Sequence, residues 1–191
     1  INKEDKRQQY KLYAACLFLY LCSLFSKGTA VIFPLVLFLI DFYQQRSNIK
    51  KLILEKIPFF ILSAVFVYIA VIMQAEGGAM EDREFTSWLD SFSVGFYGYL
   101  IYLIKAIVPF GLSPYHPYPN PLGEPNPWYY YAAALPVLLL FTYVVKNRKQ
   151  KRALVLGFGF FFISLIPVIQ VLPFGTAVIA ERYTYLPYLG L

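Results

Sequence analysis

Charged side chains are scarce in this sequence, 15% of its 191 residues, where a globular domain carries about 25%. Histidine occurs once, and cysteine, methionine and tryptophan twice each. One histidine and two cysteines cannot make an ordinary zinc site. Cys16 and Cys22, six apart on one helix, project about 120° from each other, so neither a disulfide nor a redox pair follows. No phosphate-cradling glycine loop, nucleophile elbow or nucleic-acid motif is present. What fills the space left by charge is apolar surface, 59% hydrophobic and 19% aromatic residues. That composition excludes a disordered tail, a disulfide-stapled secreted module and an ordinary soluble enzyme. It leaves an integral membrane protein.

The apolar residues come in blocks that approach the length needed to cross hydrocarbon. Five blocks are candidate spans: 12–25, 29–43, 57–73, 129–145 and 153–172. A sixth, 93–110, is ambiguous, and another span begins near Leu186. Of the 17 basic residues, thirteen fall in three clusters. They are Lys3, Lys6, Arg7 and Lys11; then Arg46, Lys50, Lys51 and Lys56; then Lys146, Arg148, Lys149, Lys151 and Arg152. Short basic connections stay cytoplasmic, so an even number of crossings separates the first two clusters. Residues 12–43 are then a helical hairpin with Lys27 at its outer tip, because a single helix that long is hard to fit across one bilayer. The same parity keeps 93–110 on the outer side as a re-entrant or interfacial helix. If it spanned, the third cluster would lie outside.

The expected architecture is therefore all-α: a polytopic transmembrane helical bundle of about five full spans, with one re-entrant or interfacial helix and the start of another span. It reads as a single partial transmembrane domain over 1–191, with an external loop at 74–128 and an external rim at 173–187. The chain starts at Ile1 with no initiator Met and no signal peptide before its first apolar block. The expectation is an internal piece of a longer protein, with any chemistry on its outer side; the resemblance described below implies a bacterial inner membrane.

On this topology the outer side collects Lys27, Arg83, Lys105 and Arg182, the carboxylates Glu76, Glu81, Asp82, Glu84 and Asp90, and the single His116. Gly95, Gly98, Tyr102 and Lys105 are spaced 3, 4 and 3 apart, which stacks them on one helical face. Lys105 on that face either turns toward a cavity or snorkels to headgroups. Lys27 before Gly28 is either a phosphate contact at a hairpin tip or a plain polar turn. Glu181-Arg182 joins an acid to a base at the rim. The guanidinium suits phosphate oxygens; the alternative is an interfacial anchor with Arg182 held by Glu181 or by general lipids. His116 is a proton carrier or a packing and hydrogen-bonding residue. Asp41 ends an apolar run near the cytoplasmic surface, as a helix-end residue would.

Several of these segments resemble a known family. Ser26-Lys27-Gly-Thr-Ala-Val-Ile-Phe-Pro34, running on to Leu39-Ile-Asp41-Phe-Tyr43, is similar to a stretch of bacterial membrane proteins akin to the TMTC family. So are Glu55-Lys-Ile-Pro-Phe-Phe60, Tyr99-x-x-Tyr102-Leu-x-Lys105, Tyr115-His-Pro-Tyr-Pro119 and Ala180-Glu-Arg-Tyr-Thr-Tyr-Leu-Pro187. The last is the most specific. Glu181 stands where that family has Asp, Gly28 where Pro is common, and His116 at an apolar or aromatic position.

The resemblance implies a GT-C type membrane glycosyltransferase. Such an enzyme transfers a sugar from a polyprenyl-phosphate-linked donor to an acceptor, a protein Ser/Thr or a glycan, on the external face. It implies substrate or lipid-phosphate contacts at Lys27, Lys105, Glu181, Arg182, Tyr183 and Tyr185, with Tyr118 and Pro119 shaping a loop. The family's catalytic acid would lie upstream of Ile1, so no catalytic residue is assigned; no metal-binding residue is assigned, the need for a divalent metal is left open, and no cofactor is expected beyond the lipid-linked donor. Partners would be the lipid bilayer, that donor and the acceptor, and no nucleic acid. Two other classes compete: a transporter or lipid-linked-sugar flippase, which needs ionisable groups near the midplane, and a non-enzymatic membrane scaffold, which needs no shared external cavity.

Overall fold

The computed structural model describes residues 3–77, 87–118, 124–169 and 177–191, with side chains from Arg7 onward. Glu81, Asp82, Arg83, Glu84, Pro119 and the start of the rim at 173–176 lie outside the described residues. The described chain is mostly helical. It forms two compact units, Ile1–Val71 and Ile72–Leu191.

In the first unit, α1 covers Lys3–Ser26, a 3₁₀ turn covers Gly28–Ile32, α2 covers Phe33–Tyr43 and α3 runs from Ile49 to Glu76. The break falls at Lys27, whose backbone is extended (φ −153°, ψ 122°), and Pro34 occupies the first turn of α2, where its missing N–H leaves no bond unmade. After the break the chain folds back, so that Phe33 stacks on Tyr20 with ring centroids 5.1 Å apart. Tyr20, Leu24 and Phe59 form the buried centre of this unit, and Tyr20 and Ser63 share a hydrogen bond of 2.6 Å across it.

The basic residues near the α2–α3 connection behave differently from a free cytoplasmic cluster. Lys56 is 3% exposed and its ammonium donates to Asp41. Arg46 donates to Asp41 at 2.9 Å and to Glu55 at 2.8 Å. Asp41 does sit in the last turn of α2, but it is 6% exposed and an ion-pair centre rather than a surface residue. Burial forces this arrangement, since an unpaired ammonium out of water is far costlier than a paired one.

The second unit is built around α4, Trp88–Ile107, which begins five residues before the apolar block. Ser87 caps it by accepting the Leu89 N–H at 3.2 Å. α5 (Trp128–Ala132), α6 (Ala134–Lys146) and α7 (Arg152–Leu165) follow. α7 stops short of the apolar block's end because Pro167 cannot continue it; Ile166–Val168 tightens into a 3₁₀ turn instead. All four residues of the 3, 4, 3 face, Gly95, Gly98, Tyr102 and Lys105, are buried. That face packs with Tyr130, Phe161, Leu165, Ile169, Val178 and Ile179 in one core. At the chain's end Pro187–Gly190 forms a 3₁₀ turn against α7.

Among the described residues two helices, Ile49–Glu76 and the α5–α6 run Trp128–Lys146, are long and apolar enough to cross a membrane. Little of either is buried within the protein, unlike the core helix of a soluble domain, and large apolar faces open to water are unfavourable. That points to membrane association.

One departure from an all-helical chain positions the site. His116–Pro117 (β1) pairs antiparallel with Ala177–Ile179 (β2), His116 facing Ile179.

Candidate functional site

The strand pair and α4 converge on Glu181. β2 leads through Ala180 into a 3₁₀ turn at Glu181–Tyr183. Ala180 is fixed from α4 by the Tyr102 hydroxyl, which donates to its C=O at 3.2 Å and accepts from its N–H at 3.0 Å. Lys105, three residues further along the same face, then meets the Glu181 side chain. On the other side, pairing with Ile179 brings His116 alongside.

The result is a three-residue cluster on one oxygen. The Lys105 ammonium donates to Glu181 Oε1 and to the C=O of Gly111 at 3.3 Å, and lies 3.0 Å from His116 Nε2. His116 Nε2 is also 3.0 Å from Glu181 Oε1. Lys105 is 7% exposed along its side chain, Glu181 20% and His116 29%, so the cluster opens on the imidazole side. Burial alone would raise the Glu181 carboxyl. Hydrogen bonds from Lys105 and His116 outweigh it and hold the group below its ordinary value. Glu181 Oε2 is buried and accepts no hydrogen bond from any described residue.

Glu181 and Arg182, adjacent in sequence, go opposite ways. Glu181 turns inward. Arg182 turns out, its guanidinium 5.1 Å from the Tyr183 ring centroid and donating to the Tyr183 hydroxyl at 3.2 Å. Arg182 is thus not held by Glu181. Lys105 neither snorkels nor shows a free ammonium, since Glu181, Gly111 and His116 surround it. Tyr183 is half-buried, Tyr185 exposed, and Tyr118 packs against the core beside β1. Lys27 is exposed at the helix break of the other unit.

Residue-type reasoning singled out His116 without a partner, and it gave Tyr102, which holds Ala180 beside the cluster, no role. Exposure alternates over Tyr115, His116, Pro117 and Tyr118 as exposed, half-buried, exposed, half-buried, which is the two-residue period of a strand.

A second polar group sits at the start of α4. Asp90 is 6% exposed and accepts from the Tyr131 hydroxyl. Asn126 donates to the Asp90 C=O and to Ser93 Oγ, both at 3.0 Å. It ties the segment before α5 to α4. Among the described residues no three His, Cys, Asp or Glu side chains gather to hold a metal ion.

Comparison with protein-family models, curated proteins and solved structures gave no match.

Proposed function

We propose that the chain is part of a polytopic GT-C type membrane glycosyltransferase that moves a sugar from a polyprenyl-phosphate carrier to an acceptor hydroxyl on the outer side of a bacterial inner membrane. The observation that carries this reading is the division of Glu181 from Arg182 within the rim motif. The guanidinium is left outward and braced on Tyr183, while the neighbouring carboxylate is neutralised from within by Lys105. A planar guanidinium braced on a ring suits the oxygens of a lipid phosphate. In transfer it would stabilise the charge that develops on the departing phosphate. Lys27 and Tyr185 remain phosphate or substrate contacts on the resemblance, whereas Lys105 acts here by holding Glu181.

The five-span topology with its outward rim belongs to the same proposal. The transporter alternative is less favoured, because the described buried ions lie near helix ends rather than mid-helix. Asp41 is in the last turn of α2, Lys56 in the first turns of α3 and Lys105 in the last turn of α4.

The test is Arg182→Ala in the full-length protein, reconstituted in liposomes and assayed for transfer from a polyprenyl-phosphate sugar. Turnover is expected to fall by roughly 10²-fold or more, the scale of losing one preorganised charge stabiliser. Unchanged turnover by a folded variant removes Arg182 from the reaction.

A further inference from the structure

Two basic connections of this chain read alike in sequence and differ in the structure. At the α2–α3 connection the cations meet acids: Arg46 reaches Asp41 and Glu55, Lys56 reaches Asp41, and Lys51 lies 3.9 Å from Glu55. At the α6–α7 connection five cations, Lys146, Arg148, Lys149, Lys151 and Arg152, stand within seven residues, and no Asp or Glu occurs between Glu124 and Glu181. None of the five forms an ion pair with a described residue. Arg152 is half-buried and the other four are exposed. α7 starts from the same turn with no side-chain cap and no acid in its first turn, so the positive end of its dipole adds to the same field.

That charge is held at a defined depth. The α5–α6 run Trp128–Lys146 has 19 residues, about 27 Å at 1.5 Å per residue, close to the ~30 Å of a hydrocarbon core. Trp128 is exposed at one end of the run, as an interfacial aromatic is. The α6–α7 turn at the other end therefore falls where hydrocarbon gives way to headgroups. Leu138, Leu139, Phe141 and Val145 lead into it with exposed side chains. Lys151 folds back on the last turns of α6, donating to the Tyr143 hydroxyl at 3.0 Å with its ammonium 5.5 Å from that ring's centroid. This contact keeps one cation at the level of lipid phosphates. Five like charges so close repel one another, and only an anion from outside the described protein relieves them.

We propose that the α6–α7 turn binds the phosphates of anionic phospholipid headgroups. A cluster of four to eight basic residues beside a membrane-crossing helix is the pattern that recognises such lipids. The Arg148 guanidinium would take phosphate oxygens in pairs, with Lys146, Lys149 and Lys151 as point charges around them. A zwitterionic headgroup carries its own cation and gains less. The α2–α3 connection, whose buried cations are neutralised by Asp41 and Glu55, binds these lipids weakly by comparison. The proposal rests on membrane association alone, not on the transferase reading, and holds in either leaflet.

The experiment titrates the full-length protein in detergent with phosphatidylglycerol or phosphatidylcholine and counts bound lipid by native mass spectrometry. The parent should favour phosphatidylglycerol by roughly tenfold or more, the scale of one to two basic side chains at an anionic surface. That preference should shrink as salt is raised. Arg148→Gln/Lys149→Gln should lose most of it at an unchanged Tm, since both side chains are exposed. Arg148→Lys/Lys149→Arg, which keeps the charge, should retain it. Lys50→Gln/Lys51→Gln removes the same charge from exposed positions at the α2–α3 connection and should also retain it. Equal affinity of the parent for the two lipids, or a folded Arg148→Gln/Lys149→Gln that keeps the preference, overturns the proposal. An equal loss in Lys50→Gln/Lys51→Gln overturns it as well, because the preference would then follow net charge and not this turn.

Discussion

The Tyr102 hydroxyl bonds both backbone polar groups of Ala180, donating to the C=O and accepting from the N–H. Both residues are buried, at 1% and 0% exposure. One phenol thus sets the height of the rim motif against α4, and Glu181 follows from it. Tyr102→Phe keeps the ring and removes the clamp. The Ala180 C=O retains the Tyr183 N–H at 3.0 Å, but the Ala180 N–H is left unpaired. An orphaned buried donor costs about 1–3 kcal/mol. Thermal unfolding in detergent should show a clear fall in Tm, and a Tm equal to the parent's would mean the clamp holds nothing.

Lys105 and Glu181 should be strongly coupled. Lys105→Met leaves the Glu181 carboxylate with His116 as its one described side-chain donor, and stranding a buried charge costs about 3–5 kcal/mol. Glu181 is 20% exposed, so the low end of that range is expected. Glu181→Gln in the same chain removes the stranded charge, and the double variant should recover part of the loss. A double-mutant cycle on unfolding free energies should return a coupling of about 1–3 kcal/mol. Additive losses would mean the ion pair contributes nothing.

Acid should weaken the same contact. The Glu181 carboxyl is held below its ordinary value by Lys105 and His116 against the opposing effect of burial, so in acid the unfolded chain binds its proton first. Stability from this group is therefore present above the ordinary carboxylate value, about 4.3, and is lost as pH falls through the lower folded value. The gap in Tm between the parent and Glu181→Gln should be constant near neutrality and close in that acid window. A gap that widens with acid would contradict the direction of the shift.

Much of this was legible in the sequence, and the remainder failed for identifiable reasons. Helical periodicity placed Gly95, Gly98, Tyr102 and Lys105 on one face, and the fold buries all four, because that pattern is a local property of one helix. The helix break at Lys27 was legible for the same reason: Ser26-Lys27-Gly28 is the polar interruption in an apolar run. The pairing of Asp41 with Lys56 was not, since composition reports a basic cluster and not which of its members is buried. Nor was the meeting of His116 with Glu181. These residues are 65 positions apart and are brought together by a register of two short strands, which few residues encode. The inward turn of Glu181 and outward turn of Arg182 depend on that same register.

α7 and the C-terminal turn approach each other closely through glycine backbone, which gives a sharp steric prediction. A Cβ on Gly157 would stand 2.3 Å from the C=O oxygen of Gly190, and a Cβ on Gly190 would stand 2.4 Å from that of Gly157. Both obstructions are backbone, so no side chain can rotate away. Phe161, fully buried one turn after Gly157, and Tyr188, beside Gly190, stack with ring centroids 6.5 Å apart. Separating the backbones would therefore open the core as well. Overpacking of this kind costs about 1–3 kcal/mol where side chains can adjust, and the upper end is expected where they cannot. Tyr188 also donates to the C=O of Tyr102 at 2.9 Å, so the displacement would reach α4 and the Glu181 cluster. Gly157→Ala should lower Tm, measured by thermal unfolding in detergent. Gly111→Ala, at an exposed turn with φ +55° and no heavy atom within 4 Å of the added Cβ, gives a contrast in which the strain is one of backbone conformation and not of packing. If Gly157→Ala proved no more damaging than Gly111→Ala, the contact between α7 and the C-terminal turn would not be the close one described.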